Sequence, residues 1–556
     1  MDSSINEDEA SLDFKGNPAD KSKTGGWLAA GLIVGIELSE RICINGIAMT
    51  LVTYLHGKLH LSSSKSANIV TNFVGSLNLL ALFGGFIADA KFGRYLTILI
   101  FSSICALGVA LLTLATSYDR MWPPSGKEAD KSQLAMVYIA LYTIALGGGG
   151  IKSNVSGFGS DQFDKSTPED EKAMVYFFNR FYFFISMGSV FAVTVMVYIQ
   201  DKVSMGWGYG VSSGIMVMAI VLLVCGRKIY RYKKPQGSPL SVIWRVAFLA
   251  WKNRRLSYPD HPSLLNGYNS TKVPHTEKLR YLDKAAIVVC DSKSTNEESS
   301  NNPWIVSTIT QVEEVKMVIN LIPIWSTGIL FWTIYSQMTT FTIEQASIMN
   351  TKHGGFNIPP SSFSIFLFIS ILLFTSLNEK LIIPIARKIT HYPKGLTSLQ
   401  RIGIGLVFSV IGMVAAAICE TKRKSDMKIG VKTSAFWLVP QFFLVGAGEA
   451  FVYVGQLEFF ITEAPERMKS MSTGLFQSTL AMGFYLSSLL VALTDIVTHG
   501  RGSWLKNNLD KGKLDKFYWM LAILGLLNFL GFLILASRHR YKLKHYETSR
   551  IDDDDI

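Results

Sequence analysis

The sequence predicts an all-α membrane protein of twelve transmembrane helices arranged as two six-helix bundles, and three observations lead there. Hydrophobic residues fill 49% of the 556 positions and charged residues only 17%, whereas a soluble chain of this length carries about a quarter charged. Long apolar runs recur six times, a polar stretch intervenes, and six more runs follow. Each run reaches the roughly 20 residues a helix needs to cross the hydrocarbon layer.

In chain order, residues 1–26 form a polar, acidic tail without the apolar core of a signal peptide, so the tail is expected to stay in the cytosol. The opening run, Trp27 to Leu55, is followed by runs near 68–90, 95–117, 132–155, 174–199 and 207–226, giving an N-terminal bundle over 27–226. A linker over 227–315 begins with a cationic stretch, Arg227 to Lys234. It continues with Ser238 to Leu256, whose pattern fits an amphipathic helix along the inner leaflet that bridges the two halves. Cys290 to Pro303, rich in Ser, Asn and Glu, reads as disordered. The glycosylation pattern at Asn269–Ser270–Thr271 is discounted because this topology places it in the cytosol. Runs near 316–341, 361–379, 397–419, 434–461, 471–496 and 516–537 build a C-terminal bundle over 316–538, and a cytosolic tail over 539–556 ends in four aspartates. Loops assigned to the cytosol hold roughly twice as many Lys and Arg as the others, as the positive-inside rule asks. The basic segments Lys422 to Lys432 and Arg501 to Lys516 run against that bias. The net charge of +12 suits an anionic inner leaflet, and no nucleic-acid motif accompanies it. Two six-helix halves joined by a long loop are the layout of the major facilitator fold, whose halves rock about a cavity near the midplane.

Several membrane segments carry side chains that lipid would reject. The opening helix holds Glu37, Glu40 and Arg41 at its middle, where each charge costs about 2.5–3.5 kcal/mol. Spacings of three and four put all three on one helical face, so the cluster points into the bundle. One carboxylate suffices to neutralise Arg41. The second is surplus to a structural ion pair and suggests a proton site. In the fourth helix, four glycines at 147–150 are expected to bend the backbone and let Lys152 swing towards a cavity. The seventh helix carries a polar island that includes Tyr335, Gln337 and Thr339, where substrate binding competes with plain helix-to-helix hydrogen bonding. In the tenth, Glu449 lies among small residues, a candidate partner from the opposite half for Lys152 or Arg41. Between the second and third helices, the glycines of Gly85 to Arg94 allow a tight reversal, and Asp89 and Arg94 can make charge contacts that form in one gate state and break in the other. Thr97 stands three residues after Arg94, a spacing that occurs often by chance. All nine histidines lie in loops or at helix ends, which leaves carboxylates, and as a lesser candidate Lys152, as the carriers of intramembrane protons. Five scattered cysteines, at 43, 105, 225, 290 and 419, suit neither a disulfide framework nor a metal site. No Walker loop, metal cluster or nucleophile elbow appears, so neither an ATP-driven pump nor an enzyme is expected.

The stretch Gly85 to Arg94 resembles the G-x-x-x-D-x-x-x-G-R loop of the major facilitator superfamily, and Glu37-Leu-Ser-Glu40-Arg41 is similar to the E-x-x-E-R motif of proton-coupled oligopeptide transporters. In plants these form the nitrate and peptide transporter family. The resemblance extends over Ile69 to Asn72, Gly157 to Phe163, Phe177 to Ser189, Asp283 to Ile287 and Gln456 to Phe460, and Asp13 to Trp27 and Ser470 to Leu475 look most like the nitrate branch. It implies proton coupling at Glu37, Glu40 and Arg41, a cavity lined by Lys152 and Glu449, and phosphorylation by a protein kinase at Thr97. Two departures matter. Tyr335 stands where the nitrate branch has a nitrate-binding histidine, with Gln337 and Thr339 retained, and Ser186 replaces the family's usual Asn. A tyrosine donates a neutral hydrogen bond but supplies no positive charge, which implies low nitrate affinity or another substrate.

The function expected is therefore symport of protons with a small anion, nitrate, by alternating access, with protons as the coupling ion and no cofactor. Carriage of di- or tripeptides, hormones or secondary metabolites is the alternative, and a nitrate sensor with little flux is the alternative from another class. The expected setting is the plasma membrane rather than the vacuolar membrane, as a monomer or weak homodimer in contact with lipid.

Overall fold

The computed structural model describes residues 11–539, apart from residue 21 and the stretches 119–120, 125–126, 164–167, 234–238, 260, 269–274, 288–305, 391–394, 466–468, 499–502 and 506–508. Residues 269–271 and 290–303, singled out above, thus lie outside the described residues. The first half is built from α1 (Gly26–Gly57), α2 (Ser63–Ile87), α3 (Gly93–Ser117), α4 (Lys131–Ser160), α5 (Pro168–Phe191) and α6 (Met205–Cys225). Two π-helical turns, Ala192–Met196 and Ile199–Val203, extend α5. The linker contributes α7 (Pro239–Lys252) and α8 (Ile309–Ile319). The second half starts with a broken pass: α9 (Ile322–Ser336), a 3-10 turn over Gln337–Thr339, then α10 (Phe341–Ile348). It continues through α11 (Ile365–Leu377) and α12 (Ile383–Thr390), joined into one pass by a π turn, and closes with α13 (Ser398–Lys428), α14 (Val439–Glu463), α15 (Lys469–Thr498) and α16 (Leu514–Arg538).

Among the described residues, ten stretches are long and apolar enough to cross a membrane. The first of them, Ser63–Ser117, is two passes, because Gly93 takes a left-handed backbone (φ 71°) and reverses the chain between α2 and α3. With α1, whose 32 residues span ~48 Å despite Glu37, Glu40 and Arg41 at its middle, twelve passes stand among the described residues. Helices and not strands cross because every backbone N–H and C=O is then satisfied within its own segment.

At the four glycines, where a bend is expected from the sequence, the structure shows an unbroken helix in close packing. The α4 helix runs unbroken from Lys131 to Ser160, and Gly147, Gly148, Gly149 and Gly150 are all buried in it. A Cβ on each would collide with a different neighbour: Cys105 of α3 at 2.3 Å, Ile44 of α1 at 2.4 Å, Leu77 of α2 at 2.8 Å and Phe101 of α3 at 2.1 Å. The missing side chains let four helices share one crossing region. Close backbone approach through small residues is the usual way membrane helices associate, since lipid supplies no hydrophobic drive between them.

The two ends of the molecule differ. At the face that carries the N-terminal segment, Leu12 pairs with Tyr232 through two backbone hydrogen bonds of 2.8 and 2.9 Å. The amides of Gly25 and Gly26 donate to Ile229 and Gln162, so residues 12–26 are strapped across the first half. Trp27 is then fixed between Phe163 and the Arg180 guanidinium. At the opposite face the halves are latched to each other. Ser63 at the start of α2 donates to the buried Glu344 of α10, His56 Nε2 stands 3.8 Å from the same carboxylate, and Ser64 donates to Asp495 of α15. The linker has a core of its own, in which Val246 and Leu249 of α7 pack with Val312 and Val315 of α8 and with Leu282 and Ala285.

The glycine packing sets an expected outcome. Gly150→Val forces a side chain into the Phe101 ring and lowers stability by about 1–3 kcal/mol, read as a lower unfolding midpoint of the purified protein. Gly31→Ala, where nothing lies within 4 Å of the added methyl, leaves the midpoint unchanged.

Candidate functional site

On α1, spacings of three and four bring Glu37, Glu40 and Arg41 to one face. Arg41 donates from Nε and Nη2 to Glu37 Oε1 at 3.0 and 2.8 Å, and Glu40 Oε2 stands 3.4 Å from Arg41 Nε. Both carboxylates are buried, while the Arg41 side chain keeps 18% exposure. Glu37 Oε2 and both oxygens of Glu40 lie buried with no hydrogen-bond donor against them among the described residues. A buried polar oxygen left without a hydrogen bond costs free energy.

Lys152 comes into the same field from α4. Its Nζ donates to Asn78 Oδ1 of α2 at 2.7 Å, and the charges acting on it are those of Arg41, Glu40, Glu37 and Glu449. The second half answers with Glu449 of α14, whose carboxylate lies beside the Tyr335 hydroxyl of α9. Glu449 thus faces Tyr335, Lys152 and Arg41 electrostatically. Its Oε2 is buried and without a hydrogen bond among the described residues. Tyr453, one helical turn beyond Glu449, also acts on Arg41. Three carboxylates and two cations, drawn from both halves, therefore share one electrostatic neighbourhood.

Other side chains singled out from the sequence bond elsewhere. Gln337 Nε2 donates to Thr333 O and to Ser487 Oγ of α15, both at 2.9 Å, and Thr339 Oγ1 donates to Ser336 O at 2.8 Å. These bonds serve the 3-10 break of the seventh pass and its packing on α15. At the reversal before α3, Arg94 Nη1 meets Asp161 Oδ2 at 2.5 Å, with Lys233 Nζ 3.4 Å from the same carboxylate. The ion pair of Arg94 thus spans two motifs 67 residues apart, and Gly157 leaves the room for it, since a Cβ there would lie 2.8 Å from the guanidinium carbon. Asp89 lies in the π turn Ala88–Phe92 just ahead. Thr97 is fully buried, and its hydroxyl donates to Gly93 O at 2.8 Å.

Asn78, Tyr453 and Asp161 are the site residues that sequence reasoning passed over. Asp161 sat within the quoted Gly157 to Phe163 stretch, and Asn78 was an amide in an apolar span, but neither carries a signal of its partner. In the linker, His275, Asp283 and Glu313 cluster closely enough to suggest a metal site. The Lys316 ammonium already stands 2.7 Å from both Asp283 Oδ1 and Glu313 Oε1, so a side chain occupies the place between these carboxylates that a cation would take.

The comparisons agree with this geometry. A POT family model matches residues 95–505. The Arabidopsis thaliana protein NRT1/PTR FAMILY 6.4 is 61% identical over 560 residues, covering 99% of this chain and 95% of that protein. NRT1/PTR FAMILY 6.3 of the same plant is 45% identical, covering 98% and 96%. Among solved structures, an auto-inhibited POT family peptide transporter superposes with a TM-score of 0.69 at 22% identity, covering 92% of this chain and 98% of that one. The POT family transporter PepTSo gives 0.68 at 22%, covering 93% and 100%. At that identity the structures speak for the fold, and the sequence matches speak for the family. The chain belongs to the POT family: it is a multi-pass, proton-coupled membrane transporter of small molecules, akin to the plant NRT1/PTR proteins, and not an enzyme.

Proposed function

We propose that this transporter is a symporter that carries nitrate with protons into the plant cell across the plasma membrane, by alternating access. The observation that carries the reading is the charge count between the halves: Glu37, Glu40 and Glu449 against Arg41 and Lys152. With every group ionised the cluster is net negative and repels an anion. One proton brings it to neutrality, and a second makes it net positive. Anion binding is thereby tied to proton binding by electrostatics in a low-dielectric site. The energetics point the same way, because moving one nitrate into a negative interior costs about 2.3 kcal/mol per 100 mV, so one proton only cancels its charge and the second supplies drive.

Protonation of Glu40 or Glu37 loosens the carboxylate hold on Arg41, whose planar guanidinium offers parallel donors that match a planar oxyanion. Lys152 supplies the second positive charge and Tyr335 a neutral donor. The latch from Ser63 and His56 to Glu344 makes this the conformer with its far gate shut, and occupation of the site shifts the equilibrium between the gate states. Kinase action at Thr97 belongs to the same proposal. A phosphoryl group adds about −1.5 to −2 charges, which a fully buried hydroxyl site accepts only after the first turn of α3 opens.

One observation favours a second reading. Lys152 and Glu449 bear opposite charges and belong to opposite halves, an arrangement that also suits the carboxylate and amine of a peptide.

Isotope uptake in oocytes, with nitrate, chloride and a dipeptide in parallel at two external pH values, tests both. Nitrate uptake is expected to rise as pH falls, and uptake confined to the dipeptide would replace the first reading with the second. Glu40→Gln is expected to abolish substrate-induced inward current, and currents of undiminished size would remove Glu40 from the coupling. Tyr335→His is expected to lower the half-saturating nitrate concentration at least several-fold at acid pH, because an imidazolium adds a charge at that position. Lys152→Ala is expected to raise it.

A further inference from the structure

At the latched end of the molecule, an apolar groove of about 460 Å³ opens between the fifth and eighth passes. Its first wall comes from the N-terminal half: Thr194, Val195 and Tyr198, on the π-helical extension of α5. Its second wall comes from the C-terminal half and includes Phe363 and Phe366 around the start of α11. Tyr198 reaches across the divide to stack on Phe356, with ring centroids 6.0 Å apart and planes 12° from parallel. The Thr194 hydroxyl is spent on Val190 O at 2.7 Å, so it asks nothing of an occupant. A groove of this size falls in the range of about 300–1,000 Å³ that holds small-molecule ligands.

The walls belong to the membrane-spanning stretches Phe183–Val203 and Pro360–Ile389. The medium against them is therefore hydrocarbon, and the occupant that fits is an alkyl chain. The rim adds polarity of one sign. A two-residue hairpin pairs Lys352–His353 with Phe356–Asn357. Its Phe356 lines the groove, its Lys352 and His353 are exposed, and the His353 ring rests 5.6 Å from Phe436, another lining residue. The phosphate of a lipid headgroup above a hydrocarbon slot is what such a rim complements.

We propose that this groove is a phospholipid site, in which one acyl chain of a lipid in the leaflet at the latched face lies between Val195 and Phe366, with its phosphate beside Lys352. The chain touches both halves at once. It consequently stabilises the conformer in which their latched ends are together, and departs when they part. The site is separate from the ionisable cluster and stands whichever solute is carried.

Native mass spectrometry of the full-length protein in mild detergent, after incubation with dioleoylphosphatidylcholine, tests it. Wild type is expected to retain one phospholipid more than Val195→Trp, and Ile358→Trp, which fills the groove from the other half, is expected to lose the same one. Lys352→Glu is expected to weaken retention several-fold, and Leu530→Trp, on the lipid-facing side of α16, to leave the count at the wild-type value. Equal retention in wild type and both filled variants overturns the site. Equal loss in Leu530→Trp shows that the effect is not local and overturns it too. Retention of a plant sterol in place of the phospholipid overturns the assigned occupant.

Discussion

Everything in this molecule accommodates one electrostatic imbalance: three carboxylates held against two cations in the middle of a protein surrounded by lipid. A balanced set of ion pairs could be buried for structure alone, at a desolvation cost that pairing roughly offsets. The surplus acid cannot be neutralised by its neighbours. It must bind a proton or attract a cation, and under the proposed mechanism that requirement turns a packing motif into a coupling device. Glu40 shows the point most plainly, since neither of its oxygens has a hydrogen-bond donor among the described residues while Arg41 is bound mainly to Glu37.

Packing around the cluster serves that imbalance. The glycines of α4 bring its backbone against α1, α2 and α3, and this places Lys152 within reach of Asn78 on α2 and in the field of the α1 acids. Close helix contact fixes charge-to-charge distances. It also keeps the effective dielectric low, so that a proton on one carboxylate is felt by the others. Across the divide, Tyr335 stands beside Glu449 while its own ring is packed by Trp332 and Phe484. Each half thus presents pre-positioned groups to the other, and only the relation between halves needs to change.

That relation is governed at the ends. Ser63, His56 and Glu344 join the halves at one face, together with the Tyr198–Phe356 stack beside the groove. At the other face the strap over residues 12–26, the Arg94–Asp161 pair and Lys233 rigidify the first half internally. A rigid half that is joined to its partner by polar contacts and aromatic rings can rock as a body. The broken seventh pass, with its 3-10 turn at Gln337–Thr339, supplies a hinge-like irregularity whose freed backbone groups are met by Thr339 and Thr340.

The chain of residues by itself determined the number of passes, the six-plus-six division and the clustering of Glu37, Glu40 and Arg41, because apolar run length and helical spacing are local properties that lipid enforces strongly. It also singled out Lys152, Tyr335 and Glu449, since polar side chains in apolar runs are rare enough to stand out. Tertiary structure alone decided partners. Arg94 took Asp161, 67 residues away, and Gln337 turned to Ser487 of α15 while Tyr335, two positions earlier, turned to Glu449. It decided as well that the glycines of α4 pack against three neighbouring helices, and that Thr97 lies buried. The physical reason is common to all of these: a helix fixes which side chains share a face, but which helix comes to cover that face depends on packing among segments that the sequence keeps far apart.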